Sequence, residues 1–154
     1  MISEKAIQRI DQIIARYPVR RSAMLPALHV VQAEAGYLTE EGIRLVAGKL
    51  GLTYMDVSDT ASFYTMLYRR PMGKYHIQWC RSISCMLSGS DEARNYLETK
   101  LGIKKGETTP DGRFSLTEVE CLGACDKAPT MQVNFDFHEK LSPERIDQIL
   151  ESLK

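Results

Sequence analysis

The sequence predicts a mixed α+β protein in which a helical bundle, residues 1–70, is followed by an α/β domain, residues 71–154. Three observations lead to this prediction. In the first half, apolar residues recur at spacings of three and four, which is the spacing of one helical face. The segment Pro71–Gly73 then interrupts this pattern with residues that favour a turn. Beyond it, apolar and polar residues begin to alternate, as they do along a strand.

The first two helices are predicted from their apolar stripes and from the residues at their ends. The stripe of the first helix consists of Ile7, Ile10 and Ile14. Pro18 closes this helix, because proline cannot continue one. Ser22 is expected to cap the second helix with its side-chain oxygen, and Gly36 is expected to end it. The apolar face of the second helix consists of Leu28, Val31 and Ala35.

The third and fourth helices carry clearer start signals. Thr39 precedes two acidic residues, which favour the positive end of a helix, and Gly51 stands at the predicted end. The buried side of this helix is expected to consist of Ile43, Val46, Ala47 and Leu50. Thr53 and Asp56 have the spacing of a capping box, which opens the fourth helix. Four short helices joined by short loops predict a small bundle.

The second half is predicted to contain four strands and two helices. The strands are expected at Tyr75–Trp79, Phe114–Val119, Met131–Val133 and Phe135–Phe137. One helix is predicted over Ser90–Leu101, where Gly102 ends it. Ser142 and Pro143 supply a cap and a first-turn proline for the last helix. Its apolar face consists of Ile146, Ile149, Leu150 and Leu153.

Composition limits the classes of function that the chain can perform. The 154 residues are 44% hydrophobic and 26% charged, which is typical of a globular protein. Twenty basic residues balance twenty acidic ones, so no net charge attracts nucleic acid or an anionic membrane. The sequence contains neither a signal-peptide core nor an apolar run long enough to span a bilayer. We therefore expect a cytoplasmic protein without direct membrane insertion, whose thiols stay reduced.

Four cysteines, all in the second half, form the one constellation that indicates chemistry. They occur as two pairs, Cys80 with Cys85 and Cys121 with Cys125, and each pair follows a predicted strand. Both pairs are therefore expected on loops at strand ends, where a sheet can bring them together. Four thiolates are what a [2Fe–2S] cluster needs, two for each iron. Small residues between the cysteines, such as Gly123, allow the backbone to approach the sulfurs closely.

The spacing leaves other interpretations open. Structural zinc also takes four cysteines, although its pairs are usually separated by two residues. Unligated or disulfide-bonded cysteines are a further possibility. A thioredoxin-type exchanger would need C-x-x-C, which the sequence lacks. A plant-type ferredoxin would place its third cysteine two residues after its second, whereas 35 residues separate Cys85 from Cys121.

The segments around the cysteines resemble a known family. They are Ala61–Met66, Gly73–Ile77, the Cys80/Cys85 pair, Glu120–Cys125 and Ala128–Asn134. The chain resembles the 24 kDa-type subunit of respiratory complex I, the bacterial NADH-quinone oxidoreductase. Thioredoxin-like [2Fe–2S] ferredoxins of this kind also occur in NAD-linked hydrogenases and formate dehydrogenases. The resemblance covers nearly the whole chain, including the helical first half.

The resemblance implies a fold, a cofactor and a partner. The fold is a helical bundle followed by a thioredoxin-like α/β domain, in which Cys80, Cys85, Cys121 and Cys125 hold one [2Fe–2S] cluster. The partner is a flavoprotein subunit that binds FMN and NADH within a larger respiratory or hydrogenase complex, peripheral to the inner membrane. The chain itself has no G-x-G-x-x-G motif and no P-loop, so we expect NADH and FMN on the partner. A zinc-stabilised interaction module and a free-standing ferredoxin are the competing hypotheses.

A few other residues could take part in a site. His29, His76 and His138 could in principle ligate a metal, but none lies in a cysteine pair, and ordinary packing is favoured. Pro129 follows the second pair; a trans turn proline is its ordinary state, and a cis proline is what the resemblance allows. An aromatic and methionine cluster after the fourth helix could bind a partner or be buried between domains. It consists of Phe63, Tyr64, Met66 and Tyr68.

Overall fold

The computed structural model of the protein describes residues 2–153, so the first and last residues of the predicted domains lie outside it. Seven α-helices occur in the described chain. They are α1 (Glu4–Ile14), α2 (Met24–Ala35), α3 (Glu40–Leu50), α4 (Tyr54–Phe63), α5 (Ile83–Leu87), α6 (Ser90–Leu101) and α7 (Pro143–Ser152). The strands are β1 (Tyr75–Cys80), β2 (Phe114–Val119), β3 (Met131–Val133) and β4 (Asp136–His138). None of the helices within residues 2–153 is both long and apolar enough to cross a membrane.

The described chain divides into two compact units, one ending at Pro71 and the other beginning at Met72. Each unit has its own apolar core. The core of the first unit draws on α1 to α4, with Ile10, Leu28, Val31, Val46 and Val57 fully buried. The core of the second unit packs α6 and α7 against the sheet, with Ile77, Leu97, Leu116, Met131 and Ile146 fully buried. That residues 1–70 and 71–154 are separate domains stays a prediction.

The helix caps of the first unit follow the sequence except at one position. Thr39 accepts a hydrogen bond from the Gly42 N–H, and Thr53 forms a complete capping box with Asp56. The predicted Ser22 cap is wrong: Ser22 lies inside a 3-10 helix, Arg20–Ala23, that runs directly into α2. The preceding helical turn thus takes the place of a side-chain cap. In α1, the predicted stripe is completed by Ala6, which is buried, while Ile7 is only half-buried.

The sheet of the second unit has the order β2-β1-β3-β4. The β1 and β2 strands are parallel, whereas β3 is antiparallel to both β1 and β4. As an inner strand, β1 is covered on both faces, so its polar residues His76 and Gln78 are also buried. The His76 Nε2 lies 2.8 Å from the Thr117 hydroxyl on the neighbouring strand.

Two local expectations in the second unit need correction. The segment after Cys80 is not a loop throughout, because α5 occupies Ile83–Leu87 and carries Cys85. The last strand is Asp136–His138, one residue later than predicted, because Asn134 and Phe135 form the turn. Asn134 adopts a positive φ of 55°, which asparagine tolerates better than most residues. The helices α6 and α7 begin and end as the sequence predicts, with Gly102 and Ser142 as caps.

Candidate metal centre

The parallel pairing of β1 and β2 brings the two cysteine pairs to one edge of the sheet. Cys80 is the last residue of β1, and it pairs in register with Val119, the last residue of β2. Cys121 follows Val119 by two residues. The carboxyl ends of adjacent parallel strands lie at the same sheet edge, where α/β proteins commonly bind ligands. Residues 41 positions apart in the chain therefore become neighbours at this edge.

The first pair is buried. Cys80 and Cys85 are each 1% exposed, Cys80 at the strand end and Cys85 within α5. Their thiols are hydrogen-bonded to each other. Burial, together with this bond to Cys80, raises the pKa of the Cys85 thiol, because removal from water disfavours the thiolate. The hydroxyl of Ser90, the first residue of α6, donates to the Cys80 carbonyl and ties the helix to the strand end.

The second pair is exposed and lies on a loop. Cys121 and Cys125 are both exposed free thiols, and a short 3-10 helix, Cys125–Lys127, follows. Between them, Gly123 adopts a φ of +78°, which a residue with a Cβ would adopt only with strain. In this conformation the Gly123 N–H donates to the Cys121 Sγ at 3.4 Å. The loop thus points a backbone donor at a candidate ligand sulfur.

The two pairs are joined by direct contacts. The Cys80 Sγ lies 3.5 Å from the carbonyl oxygen of Glu120, the residue directly before Cys121. The Arg81 N–H donates to the Val119 carbonyl at 2.9 Å, which fixes the chain just beyond Cys80 against the end of β2. The Cys80 N–H donates at 3.1 Å to the carbonyl of Thr130, which follows Pro129. The Ala128–Pro129 peptide bond is cis.

Nearby basic side chains are already paired with acidic ones. The Arg81 guanidinium lies 3.1 Å from a Glu118 carboxylate oxygen and 3.7 Å from one of Glu120. The Lys127 ammonium lies 3.2 Å from the Glu139 carboxylate. These pairs are largely exposed, so solvent and salt screen them. The positive charge that Arg81 and Lys127 can direct at the cysteines is correspondingly reduced.

The arrangement fits two irons better than one. Within residues 2–153, no three side chains of His, Cys, Asp or Glu gather closely enough to hold a single metal ion. A mononuclear zinc site needs four ligands around one point. A [2Fe–2S] cluster instead takes two thiolates on each of two irons, and the cysteines are arranged as two pairs on adjoining segments. The donor set, four free thiols with backbone N–H groups close by, suits that cluster.

The other candidate residues lie elsewhere. His29 is exposed on α2, His76 is buried in the sheet, and His138 is at the end of β4. Phe63, Tyr64 and Met66 are exposed, Phe63 by 80%. Thr130, which touches both cysteine pairs, was missed by sequence reasoning, because its role depends on a sheet order that a local pattern does not contain.

Comparison with known proteins identifies the class. The family model of the thioredoxin-like [2Fe–2S] ferredoxins matches residues 10–154, and the chain belongs to this family. This membership confirms the predicted fold class and the predicted cofactor, a [2Fe–2S] cluster.

The relatives within the family are components of larger enzymes. The E-type component of NADH-quinone oxidoreductase that is numbered 2 in Rhizobium meliloti is 49% identical over 147 residues, which are 96% of this chain and 88% of the relative. The E-type component of NADH-quinone oxidoreductase from Mycobacterium bovis is 46% identical over 143 residues, and this chain spans 57% of its length. The crystal structure of an air-oxidized NAD+-reducing [NiFe]-hydrogenase matches 84% of this chain and 22% of its own, with a TM-score of 0.73 and 25% identity.

Proposed function

We propose that Cys80, Cys85, Cys121 and Cys125 ligate the [2Fe–2S] cluster and that the chain is an electron-transfer subunit of an NADH-quinone oxidoreductase. The observation that carries the proposal is the parallel register of β1 and β2, which puts both cysteine pairs at one sheet edge. The contact between the Cys80 Sγ and the Glu120 carbonyl supports a common centre. When bound, a cluster of this kind takes up and releases one electron at a time.

The residues of the chain divide the work of holding such a centre. The buried sulfurs of Cys80 and Cys85 form the side that is protected from water. The exposed sulfurs of Cys121 and Cys125 form the side that a partner protein can approach. The Gly123 N–H stabilises negative charge on the Cys121 sulfur, since hydrogen bonds to ligand sulfurs favour the more negative state.

The proposed partner is a flavoprotein subunit that binds FMN and NADH and exchanges single electrons with this chain. The relatives that are components of NADH-quinone oxidoreductases support this assembly. The sequence also lacks nucleotide-binding glycine motifs of its own, so an NADH-oxidising site must be supplied by another chain. By the same reasoning, we propose a cytoplasmic protein held at the inner membrane through its complex. An NAD-linked hydrogenase is the second candidate assembly, favoured by the structural match to such an enzyme.

The ligand assignment is tested by metal analysis and EPR of the anaerobically purified protein. We expect two irons and two sulfides per chain, and an EPR signal that develops on reduction. Each of the variants Cys80→Ala, Cys85→Ala, Cys121→Ala and Cys125→Ala should lose most of the cluster. Ser88→Ala, at the end of α5 but without a ligand sulfur, is the matched control and should retain it. A colourless protein with one zinc per chain would contradict the proposal.

The assembly is tested by affinity purification of the tagged chain from its native host. We expect an FMN-containing subunit to copurify, together with NADH oxidation coupled to quinone reduction. Coupling to hydrogen instead would favour the hydrogenase assembly. Recovery of the cluster-bearing chain without flavin would contradict both.

A further inference from the structure

Thr130 contacts both cysteine pairs from a buried position. The residue is 1% exposed and directly precedes β3. Its carbonyl accepts the Cys80 N–H at 3.1 Å. Its own N–H and its hydroxyl both donate to the Cys85 thiol, and these bonds lower the pKa of that thiol against the larger, opposite effect of burial.

The hydroxyl also faces the loop of the second pair. The Thr130 Oγ1 lies 3.4 Å from the Ala124 carbonyl and 3.4 Å from the Lys127 carbonyl. Both distances are long for a hydroxyl donor, whose usual range ends near about 3.0 Å. A hydroxyl has a single proton to donate, so these carbonyls compete weakly with the Cys85 sulfur. A charged sulfur is the stronger acceptor, because bonds to ionised groups are about twice as strong as neutral ones.

We propose that Thr130 is a positioning residue that connects the two cysteine pairs and whose hydroxyl raises the reduction potential of the centre by donating to the Cys85 sulfur. This inference rests on the proposed ligand set. Reduction adds one negative charge to the centre, and a hydrogen bond to a ligand sulfur stabilises the more negative state. Because the site is buried, little water is available to replace a lost donor.

The test is a redox titration of the holoprotein, followed by EPR, for the wild type, Thr130→Val and Thr130→Ser. Valine keeps the shape and both backbone hydrogen bonds but lacks the hydroxyl, whereas serine keeps the hydroxyl. We expect Thr130→Val to lower the equilibrium constant for reduction about tenfold, which is about 59 mV for a one-electron couple. Thr130→Ser should stay close to the wild type. Thr99→Val, which removes a hydroxyl from the exposed face of α6, should leave the potential unchanged.

Each outcome decides for or against the proposal. An unchanged potential in a fully loaded Thr130→Val protein would overturn it while leaving the ligand assignment intact. If valine prevents loading, the potentials of Thr130→Ala and Thr130→Ser give the same comparison; a lower potential in the alanine variant supports tuning. Failure of both the valine and the alanine variants to hold a cluster that Thr130→Ser holds would overturn tuning in favour of a structural role. A wild-type protein without a [2Fe–2S] spectrum would refute the ligand assignment itself.

Discussion

The two cysteine pairs serve one proposed centre but lie in opposite environments. Cys80 and Cys85 are buried between a strand end and a helix, whereas Cys121 and Cys125 are exposed on a loop that depends on a left-handed glycine. The first pair is fixed by the packing of the sheet, and the second is fixed by local backbone geometry. One site can thus combine a protected half with an accessible half, and each half should respond differently to chemical change.

The largest difference is expected in thiol reactivity. In cluster-free protein, iodoacetamide should modify Cys121 and Cys125 about 100-fold faster than Cys80 and Cys85, because buried thiols react only through local opening. Burial also raises the pKa of Cys85, so less thiolate is present. Mass spectrometry of peptides after timed quenching measures the four rates. Equal rates for both pairs would show that the first pair opens freely in solution.

The next effect is on stability. In cluster-free protein, Cys80→Ala should lower the free energy of unfolding by about 1–2 kcal/mol, because it removes a packed sulfur from the interior. Cys121→Ala should change it by less than about 0.5 kcal/mol, as is usual for exposed positions. Urea titration followed by the fluorescence of Trp79, the single tryptophan, reports on the second unit alone. A comparable loss in both variants would contradict the difference between the pairs.

A smaller effect tests the glycine on which the exposed pair depends. Gly123→Ala should cost about 1 kcal/mol, because φ is +78° there, although a Cβ would meet no atom within 4 Å. Gly102→Ala is the matched control, since it has a φ of +66°, equally open space and no contact with the cysteines. Both variants should unfold at similarly reduced urea concentrations. Only Gly123→Ala should also speed the loss of iron to a chelator; equal loss from both would separate the glycine from the site.

The smallest effect is expected from the neighbouring cations. Arg81→Gln and Lys127→Gln should each change the free energy of unfolding by less than about 0.5 kcal/mol, because their ion pairs are largely exposed. Each should shift the reduction potential less than Thr130→Val does, since carboxylates already offset both charges. Redox titration in low salt and in about 0.5 M salt measures the shift. A larger shift than that of Thr130→Val would mean that these cations face the centre more directly than their ion pairs indicate.

Local signals in the sequence were sufficient for most helices and for the cysteine pairs. The caps at Thr39, Thr53 and Ser142 were predictable because a capping oxygen and its N–H partner lie within three residues of each other. Helix α5 was not, because five residues are too few to show a helical period. The error at Ser22 has a related cause: a 3-10 turn and a side-chain cap are both compatible with a serine at a helix start.

The features that depend on distant pairing were beyond the sequence. Period-two patterns predicted the strands but not their order, so the parallel register of Cys80 with Val119 could not be derived. For the same reason, Thr130 looked like an ordinary polar residue before a strand. The cysteine spacing, in contrast, is a direct chemical signal, and it led to a [2Fe–2S] cofactor that family membership confirms.

The parallel β1–β2 pair has a consequence for transplanting the site. A hairpin cannot join parallel neighbours, so residues 81–113, with two helices, must connect the two strands. A short peptide containing either cysteine pair therefore presents only two of the four sulfurs. Grafting this centre onto another scaffold would require the whole crossover unit rather than a binding loop.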